Sequence, residues 1–298
     1  MKDDITARAA AGERLEADQL AEALNADILS LGMAAADVCR RQRDGAVFYR
    51  RVHVMSPVAL TQSSPAPDVA SEIRLSTLPE TRELALEAVR LARQAAGPAR
   101  AVTGFAFAEL ADRAAGGWGE LDALFGGFAE AGLTDLVAVE ADRVGDVGAA
   151  LDQVRRAGLA GRRLAVRLPL GARRLEVLGA VRDAIESRGS VELFAPLPAE
   201  PATDVPTTGY EDLRLVALAR LALAHLAGDR LPYVSVDWDL YGPKLAQVAL
   251  TFGADHLDTV HATDDPALGR RRASAEEVER NVRAAGLTPG ELDRQVRA

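Results

Sequence analysis

The sequence predicts an α/β fold, a (β/α)8 barrel of the TIM type, and three observations support this prediction. Short runs rich in β-forming residues recur along the 298 residues, and helical runs separate most of them. Strands that alternate with helices pair in parallel through right-handed crossovers. There are eight such runs, the strand number of this barrel, and the chain length suits one barrel. A doubly wound sheet is the alternative.

The predicted strands and helices alternate in a regular order. The strands cover residues 46–54, 71–75, 100–105, 134–140, 162–168, 190–196, 232–238 and 255–260. The clearest helical runs are ETRELALEAVRLARQAA, GELDALFGGFAEAG, RRLEVLGAVRDAIESR and GYEDLRLVALARLALAHLA. Their apolar residues recur at helical spacing, so we expect them to form crossover helices that cover the barrel.

Helical segments flank the predicted barrel on both sides. Residues 1–45 form an N-terminal helical extension, with two short helices within 3–43, the first capped by Thr6. Residues 46–298 contain the barrel and its C-terminal helices. There, Ser274 is placed to cap a helix, GLTPG predicts a turn, and a last short helix follows.

The connection after the first strand departs from this pattern. The run SPVALTQSSPAPDVA contains prolines and small polar residues, which exclude a crossover helix of ordinary length. We therefore expect a barrel that is incomplete near its first β/α unit. A missing helix would expose apolar strand surface, and such a patch favours association. This predicts a homodimer or heterodimer whose interface covers residues 55–75.

Composition narrows the class of protein. The formal net charge of −9 argues against a nucleic-acid partner, because a phosphate backbone requires a basic face. No run of 18 apolar residues and no apolar signal segment is present, so we expect a cytoplasmic protein without a membrane segment. The single cysteine, Cys39, excludes an intramolecular disulfide and any multi-thiolate metal site. Its alanine-rich surroundings predict a buried packing thiol.

Several longer runs resemble a known enzyme family. KLAQVALTFGADHLDTV, with YEDLRLVALARLALAHL before it and SAEEVERNVRAAGLTPGELD after it, resembles the C-terminal half of the radical-SAM enzymes of menaquinone (futalosine pathway) and deazaflavin biosynthesis. AVTGFAFAELADRAAGGWGELDALFGGFAEAGLTDL is similar to the middle of aminofutalosine synthase. The resemblance covers most of residues 20–295 and implies a barrel whose active site lies at the carboxyl ends of the strands.

The cofactor motifs of that family are missing from this sequence. The family carries a CxxxCxxC loop after the first strand, and SPVALTQSSPAP stands there instead. Serine cannot replace the thiolates that hold a [4Fe–4S] cluster. The family's glycine pair after the second strand is absent from RLSTLPE. VAVEADR stands in place of a glycine-rich turn after the fourth strand and keeps only its acid, Asp142. LPLGARR replaces a tyrosine–glycine–histidine segment after the fifth strand. The resemblance therefore implies a degenerate member without a cluster, without bound S-adenosylmethionine and without radical activity.

The sequence resembles the family's barrel but lacks its cofactor motifs, and two functions are consistent with this. In the first, the barrel is a small-molecule-binding or accessory protein linked to menaquinone biosynthesis, as a homodimer or as a heterodimer with a paralogous radical-SAM enzyme. In the second, it is a repurposed enzyme with a metal or acid–base site at the carboxyl ends of its strands. A pseudoenzyme and a catalyst thus remain open as alternatives.

Polar residues at the predicted strand ends supply the candidate site. The ligand-binding candidates are Glu140, Asp142, Asp237, Trp238, Asp239 and Tyr241. Trp238, between two acids, suits the wall of a small-molecule pocket, and packing at the barrel rim is its structural alternative. His53, Asp237 and His261 lie at or just after the ends of strands that meet on barrel closure, and two imidazoles with a carboxylate can bind a divalent metal. No HxH or HExxH spacing accompanies them.

Overall fold

Eight parallel strands close into a barrel in the computed structural model, which describes residues 3–57, 65–167, 171–189, 191–199, 208–263 and 274–292. Each strand pairs with the next, and the eighth and first also pair, so the sheet has the closed (β/α)8 form that the sequence predicts. The strands are β1 (Ala46–Met55), β2 (Glu72–Leu75), β3 (Ala101–Ala106), β4 (Asp135–Glu140), β5 (Arg163–Arg167), β6 (Leu193–Leu197), β7 (Tyr233–Asp237) and β8 (His256–His261).

Helices precede the barrel and alternate with its strands. They are α1 (Asp3–Ala10), α2 (Ala17–Leu24), α3 (Ile28–Arg43), α4 (Arg82–Ala96), α5 (Phe107–Arg113), α6 (Leu121–Ala131), α7 (Val147–Arg156), α8 (Arg174–Arg188), α9 (Gly209–Ala222), α10 (Trp238–Leu250) and α11 (Ala275–Ala284). Ser274 caps α11, as predicted, by accepting a hydrogen bond from the Glu277 backbone N–H. None of these helices is long and apolar enough to cross a membrane.

The N-terminal segment forms three helices, where the sequence predicted two. Thr6 lies inside α1 and does not cap it. After α1 the chain turns at Gly12, whose φ of +78° favours glycine, and a capping box at Glu16 then starts α2. The helices share one apolar core with the barrel, because Leu20 and Leu31 are buried in the same cluster as the strand residues.

A ninth strand corrects the prediction for the C-terminus. Where GLTPG predicted a turn, β9 (Thr288–Glu291) runs parallel to the first half of β1, with Ala46 opposite Thr288. β1 is ten residues long, and β2 pairs only with its last four, from Val52 to Met55. β9 therefore covers an edge of β1 that β2 does not reach. The predicted last short helix lies outside the described residues.

The first β/α unit is closed at the level of the sheet, since β1 and β2 pair directly. In the described parts of the connection, residues 56–57 and 65–71, no α-helix forms, and residues 58–64 lie outside the description. Ala66 and Ala70 are buried, and the Ala66 N–H donates to the carbonyl of Ala95. The exposed apolar surface that was expected is therefore not found in these parts. The dimer over 55–75 stays a prediction.

Candidate functional site

The carboxyl end of β7 holds its acid in place through two hydrogen bonds. Asp237 caps α10 by accepting from the Leu240 N–H at 2.9 Å, and its Oδ2 accepts from the Thr259 hydroxyl at 2.7 Å. Burial raises the pKa of Asp237, and the charge of Asp258 raises it further. This carboxyl group therefore lies in surroundings that disfavour its charged form.

A bulge in β8 determines which side chains reach this end of the barrel. Tyr49 of β1 pairs with Leu257 and Arg51 with Val260, so two steps along β1 match three along β8. Thr259 lies in the bulge with a φ of +56°, an unusual value for a β-branched residue. The extra residue reverses the inward–outward alternation, and His261 faces the same side as its partner Val52.

His261 and Asp239 form an imidazole–carboxylate pair beside this bulge. The His261 Nε2 and the Asp239 Oδ2 are 2.9 Å apart, and His261 is 5% exposed. Histidine and carboxylate side chains within hydrogen-bond distance are the groups that act in general acid–base catalysis. The structure thus brings together two of the residues that the sequence nominated.

The predicted metal ligands do not assemble. By strand alternation, His53 lies on the opposite face of β1 from Val52, the partner of His261. Burial lowers the pKa of His53, with smaller contributions from the charges of His261 and Arg100. Within the described ranges, no three His, Cys, Asp or Glu side chains are grouped so as to hold a metal ion. The expected convergence of His53, Asp237 and His261 in one pocket is therefore not seen.

Glu140 and Asp142 lie at and beyond the end of β4, where each binds backbone. Glu140 Oε2 accepts from the Ala108 N–H at 3.1 Å, and Asp142 Oδ1 accepts from the Arg167 N–H at 3.1 Å. Burial raises the pKa of Glu140. Glu140 thus resembles Asp237: it is an acid at a strand end, and burial disfavours its charged form.

The two aromatic candidates have structural positions. Trp238 is fully buried in the apolar core, which agrees with the packing alternative. Tyr241 is 8% exposed, and its hydroxyl donates to the carbonyl of Pro196 at 3.0 Å. Burial raises the pKa of Tyr241. Both side chains hold α10 against the barrel.

A buried ionic network inside the barrel was missed by the sequence reasoning. Arg74 donates to Glu72 and, through two nitrogens at 3.0 Å, to Asp258. Asp258 also pairs with Arg163 at 2.6 Å, and Thr103 donates to Glu72 at 2.6 Å. Arg163 and Arg74 hold the pKa of Asp258 well below its ordinary value despite its burial. The alternation of Glu72 and Arg74 along β2 was the available signal.

The inner face of β4, β5 and β6 carries small apolar side chains. Ala138, Ala165 and Ala195, from β4, β5 and β6, form a separate cluster with Leu197. The register sets Ala165 beside both Glu140 and Ala195, so these side chains share the inner face. Short apolar side chains on this face suit contact with the apolar side of a bound molecule.

The residues of the barrel do not fit the iron–sulfur cluster that the resemblance implies. Cys39, the only cysteine of the chain, lies in α3, where its Sγ is 4.0 Å from the carbonyl of Ala254. Burial raises its pKa, which opposes formation of a thiolate. A [4Fe–4S] cluster requires several thiolates at one place. Neither the number nor the position of thiols meets that requirement.

Comparison with characterised proteins supports the resemblance stated above. The chain is 27% identical over 128 residues to the cyclic dehypoxanthine futalosine synthase of Streptomyces coelicolor. It is 31% identical over 136 residues to the aminodeoxyfutalosine synthase of Thermus thermophilus. The resemblance to the futalosine synthases is confirmed. It extends over 40% of this chain and spans 31% and 35% of those two proteins. No family model matches the chain.

Solved structures show the same barrel over almost the whole chain. Methylornithine synthase has a TM-score of 0.63 at 14% identity, covering 96% of this chain and 97% of its own. The FeFe-hydrogenase maturase HydG of Carboxydothermus hydrogenoformans has a TM-score of 0.64 at 12% identity, covering 96% of this chain and 78% of its own. At such identities the likeness establishes the fold alone.

Proposed function

We propose that this chain is a cluster-free barrel of the aminofutalosine synthase type, without radical-SAM activity, that binds a small molecule at the carboxyl ends of its strands. The observation that carries the proposal is the placement of its one thiol. Cys39 is buried in α3, whereas the strand ends carry carboxylates and an imidazole. Hard oxygen and imidazole groups suit hydrogen bonding to an organic ligand better than they suit an iron–sulfur cluster.

The form of the barrel interior supports a ligand with two different sides. Ala138, Ala165 and Ala195 offer an apolar wall, and Asp237 and His261 lie at the ends of the strands that face it. Raised pKa values at Asp237 and Glu140 are typical of sites that bind or react. The ligand we expect therefore has an apolar face and donor groups along one edge.

The biological setting is part of the same proposal. Similarity to two futalosine-pathway synthases supports a role linked to menaquinone biosynthesis. We infer an accessory role in the cytoplasm, as a homodimer or beside a paralogous radical-SAM enzyme. The enzymatic functions of those relatives are not transferred, because the similarity spans about a third of their length.

A second candidate function rests on the Asp239–His261 pair. In this alternative the barrel, which lacks the cluster motif, is an enzyme. His261 exchanges a proton with the ligand, and Asp239 orients the imidazole. No three-ligand metal group occurs among the described residues, so acid–base chemistry is the better supported form of this alternative.

Native mass spectrometry of freshly purified protein tests ligand binding. We expect a stoichiometric small-molecule adduct that Asp237→Asn and His261→Gln reduce, because both change groups at the strand ends. Glu87→Gln is the matched control, since Glu87 pairs with Arg90 on the exposed face of α4. An adduct lost equally in the control, or no adduct in any preparation, would contradict the proposal. Turnover of the adduct that needs His261 would favour the acid–base enzyme.

A further inference from the structure

The connection between α1 and α2 contacts the barrel helices through a small ionic cluster on α8. Glu186 Oε1 accepts a hydrogen bond from the Nε of Arg14, which lies in this connection, at 3.2 Å. Arg14 also pairs with Asp183 at 3.3 Å, and Arg182 donates to the carbonyl of Leu15 at 2.8 Å. Residues 14 and 15 are thus held against one helix of the barrel.

His225 joins the same cluster from the turn that follows α9. Its Nε2 is 2.8 Å from Glu186 Oε1, the oxygen that Arg14 also contacts. In the same turn, the carbonyl of Ala224 accepts from Arg41 of α3 at 2.8 Å. That nitrogen of Arg41 also donates, at 3.3 Å, to a carbonyl in the last turn of α1. The turn at His225 therefore lies where the N-terminal helices meet the barrel.

The surroundings of His225 fit the neutral ring. A carboxylate such as Glu186 only accepts hydrogen bonds, so Nε2 carries the proton of the neutral imidazole. The other ring nitrogen, Nδ1, is buried and has no hydrogen-bond partner in the described part of the chain. Protonation would create a second N–H at Nδ1, where no acceptor meets it. A buried donor without an acceptor is costly, so the docked arrangement opposes the imidazolium form.

Two arginines beside His225 also disfavour its charged form. Arg14 and Arg182 both lie within 4.0 Å of Glu186, so a protonated His225 would be a third cation beside one carboxylate. Burial lowers the pKa of His225, the carboxylate of Glu186 opposes this, and the charges of Arg14 and Arg182 lower it further. The charged groups of the cluster are Arg14 and Glu16 of the α1–α2 connection, Arg41 of α3, and Arg182, Asp183 and Glu186 of α8.

We propose that His225 makes the docking of α1 and α2 on the barrel sensitive to acid. The neutral ring fits the docked cluster, whereas the imidazolium is more stable in water, where both of its N–H groups find acceptors. Because the docked pKa is lowered, the contribution of His225 is present above the ordinary histidine pKa of about 6.5 and is lost as the pH falls from there. The buried side chains of Ile5 and Leu20 still hold both helices, so acid makes their opening more frequent without detaching them. This inference is independent of the proposed function at the strand ends.

Hydrogen–deuterium exchange of the whole chain, measured by mass spectrometry at about pH 7.5 and about pH 5.5, tests this proposal. Protection factors are compared, because they remove the effect of pH on the intrinsic exchange rate. In the unmodified chain, the protection of α1 and α2 relative to that of β7 should fall about fivefold on acidification. In His225→Gln this ratio should not change with pH, since glutamine keeps a donor for Glu186 and does not titrate.

Two further measurements separate His225 from a general effect of acid on the fold. Asp183→Asn removes an exposed partner of Arg14 but keeps His225, so its helices should lose as much protection as those of the unmodified chain. The NMR signal of the His225 ring, assigned by its absence from His225→Gln, should titrate below about pH 6.5 in the unmodified chain. Equal protection at both pH values in the unmodified chain, an equal loss in His225→Gln, or a ring that titrates at or above about pH 6.5 would overturn the proposal.

Discussion

The carboxylates at the two ends of the barrel differ in what surrounds them. At the carboxyl ends of the strands, Asp237 and Glu140 bind backbone N–H groups, and burial raises their pKa values. Towards the other end, Asp258 lies between Arg74 and Arg163, which hold its pKa well below the ordinary value. Carboxyl groups that lie at strand ends and have no paired cation are typical of binding sites. The arginine-paired carboxylates instead connect three strands through ion pairs.

Removal of Arg74 should have the largest effect on stability. Arg74→Met leaves the buried carboxylate of Glu72 without its cation and leaves Asp258 with Arg163 alone, a change that costs about 3–5 kcal/mol. Arg90→Met, in an exposed pair with Glu87, should change the unfolding free energy by less than about 0.5 kcal/mol. Urea unfolding of both variants measures the difference. A similar small loss in both would show that the network does not stabilise the barrel.

The pH dependence of stability should have opposite signs at the two ends. The folded pKa of Asp258 is lowered, so its contribution is present above the ordinary aspartate pKa of about 3.9 and is lost as the pH falls below it. The folded pKa of Asp237 is raised, so its contribution is present below about pH 3.9 and is lost as the pH rises through the folded pKa.

Asparagine variants isolate each of these two contributions. The unfolding free energy of the unmodified protein minus that of Asp258→Asn should increase with pH across the acid range. The same difference for Asp237→Asn should decrease with pH. Urea unfolding at a series of pH values measures both slopes, and slopes of the same sign would contradict the contrast between the two ends.

The β8 bulge connects the two ends through Thr259. Its hydroxyl donates to Asp237 and accepts from Arg74 at 3.2 Å. Thr259→Val removes both bonds and should cost about 1–3 kcal/mol, whereas Thr259→Ser keeps them and should cost less than about 0.5 kcal/mol. Thr251→Val, at an exposed helix end, is the surface control. If Val and Ser at position 259 had equal effects in urea unfolding, the hydroxyl would not link the ends.

The Tyr241 hydroxyl should make the smallest measurable contribution. Tyr241→Phe leaves the carbonyl of Pro196 without this donor and should cost about 1 kcal/mol. Tyr210→Phe, at a tyrosine that is 69% exposed, should have no measurable effect. Thermal unfolding of the two variants compares them directly. Equal melting temperatures would mean that Tyr241 holds α10 by packing alone.

The sequence predicted the periodic parts of the fold and missed those that depend on distant partners. All eight predicted strands overlap observed ones, because β-rich runs and amphipathic helices repeat along the chain. β9 was read as a turn, since Thr288, Pro289 and Gly290 favour turns locally and only the open edge of β1 makes them a strand.

The candidate site stays a prediction, and the structure shows only where its residues lie. Asp237, Asp239, Glu140 and His261 were found from their places at strand ends. The sequence could not show that His53 and His261 lie on different faces, because the bulge at Thr259 sets the register of β1 and β8 and no local pattern encodes that bulge. Trp238 was ambiguous because a tryptophan after a strand suits either a pocket wall or the core.

The most direct test of the cluster-free proposal is reconstitution with iron and sulfide under anaerobic conditions. Protein-bound iron and sulfide are then measured together with binding of S-adenosylmethionine, for the unmodified chain and for Cys39→Ala. We expect no stoichiometric iron or sulfide and no S-adenosylmethionine binding in either protein. A stoichiometric four-iron cluster that binds S-adenosylmethionine in the unmodified chain would contradict the proposal.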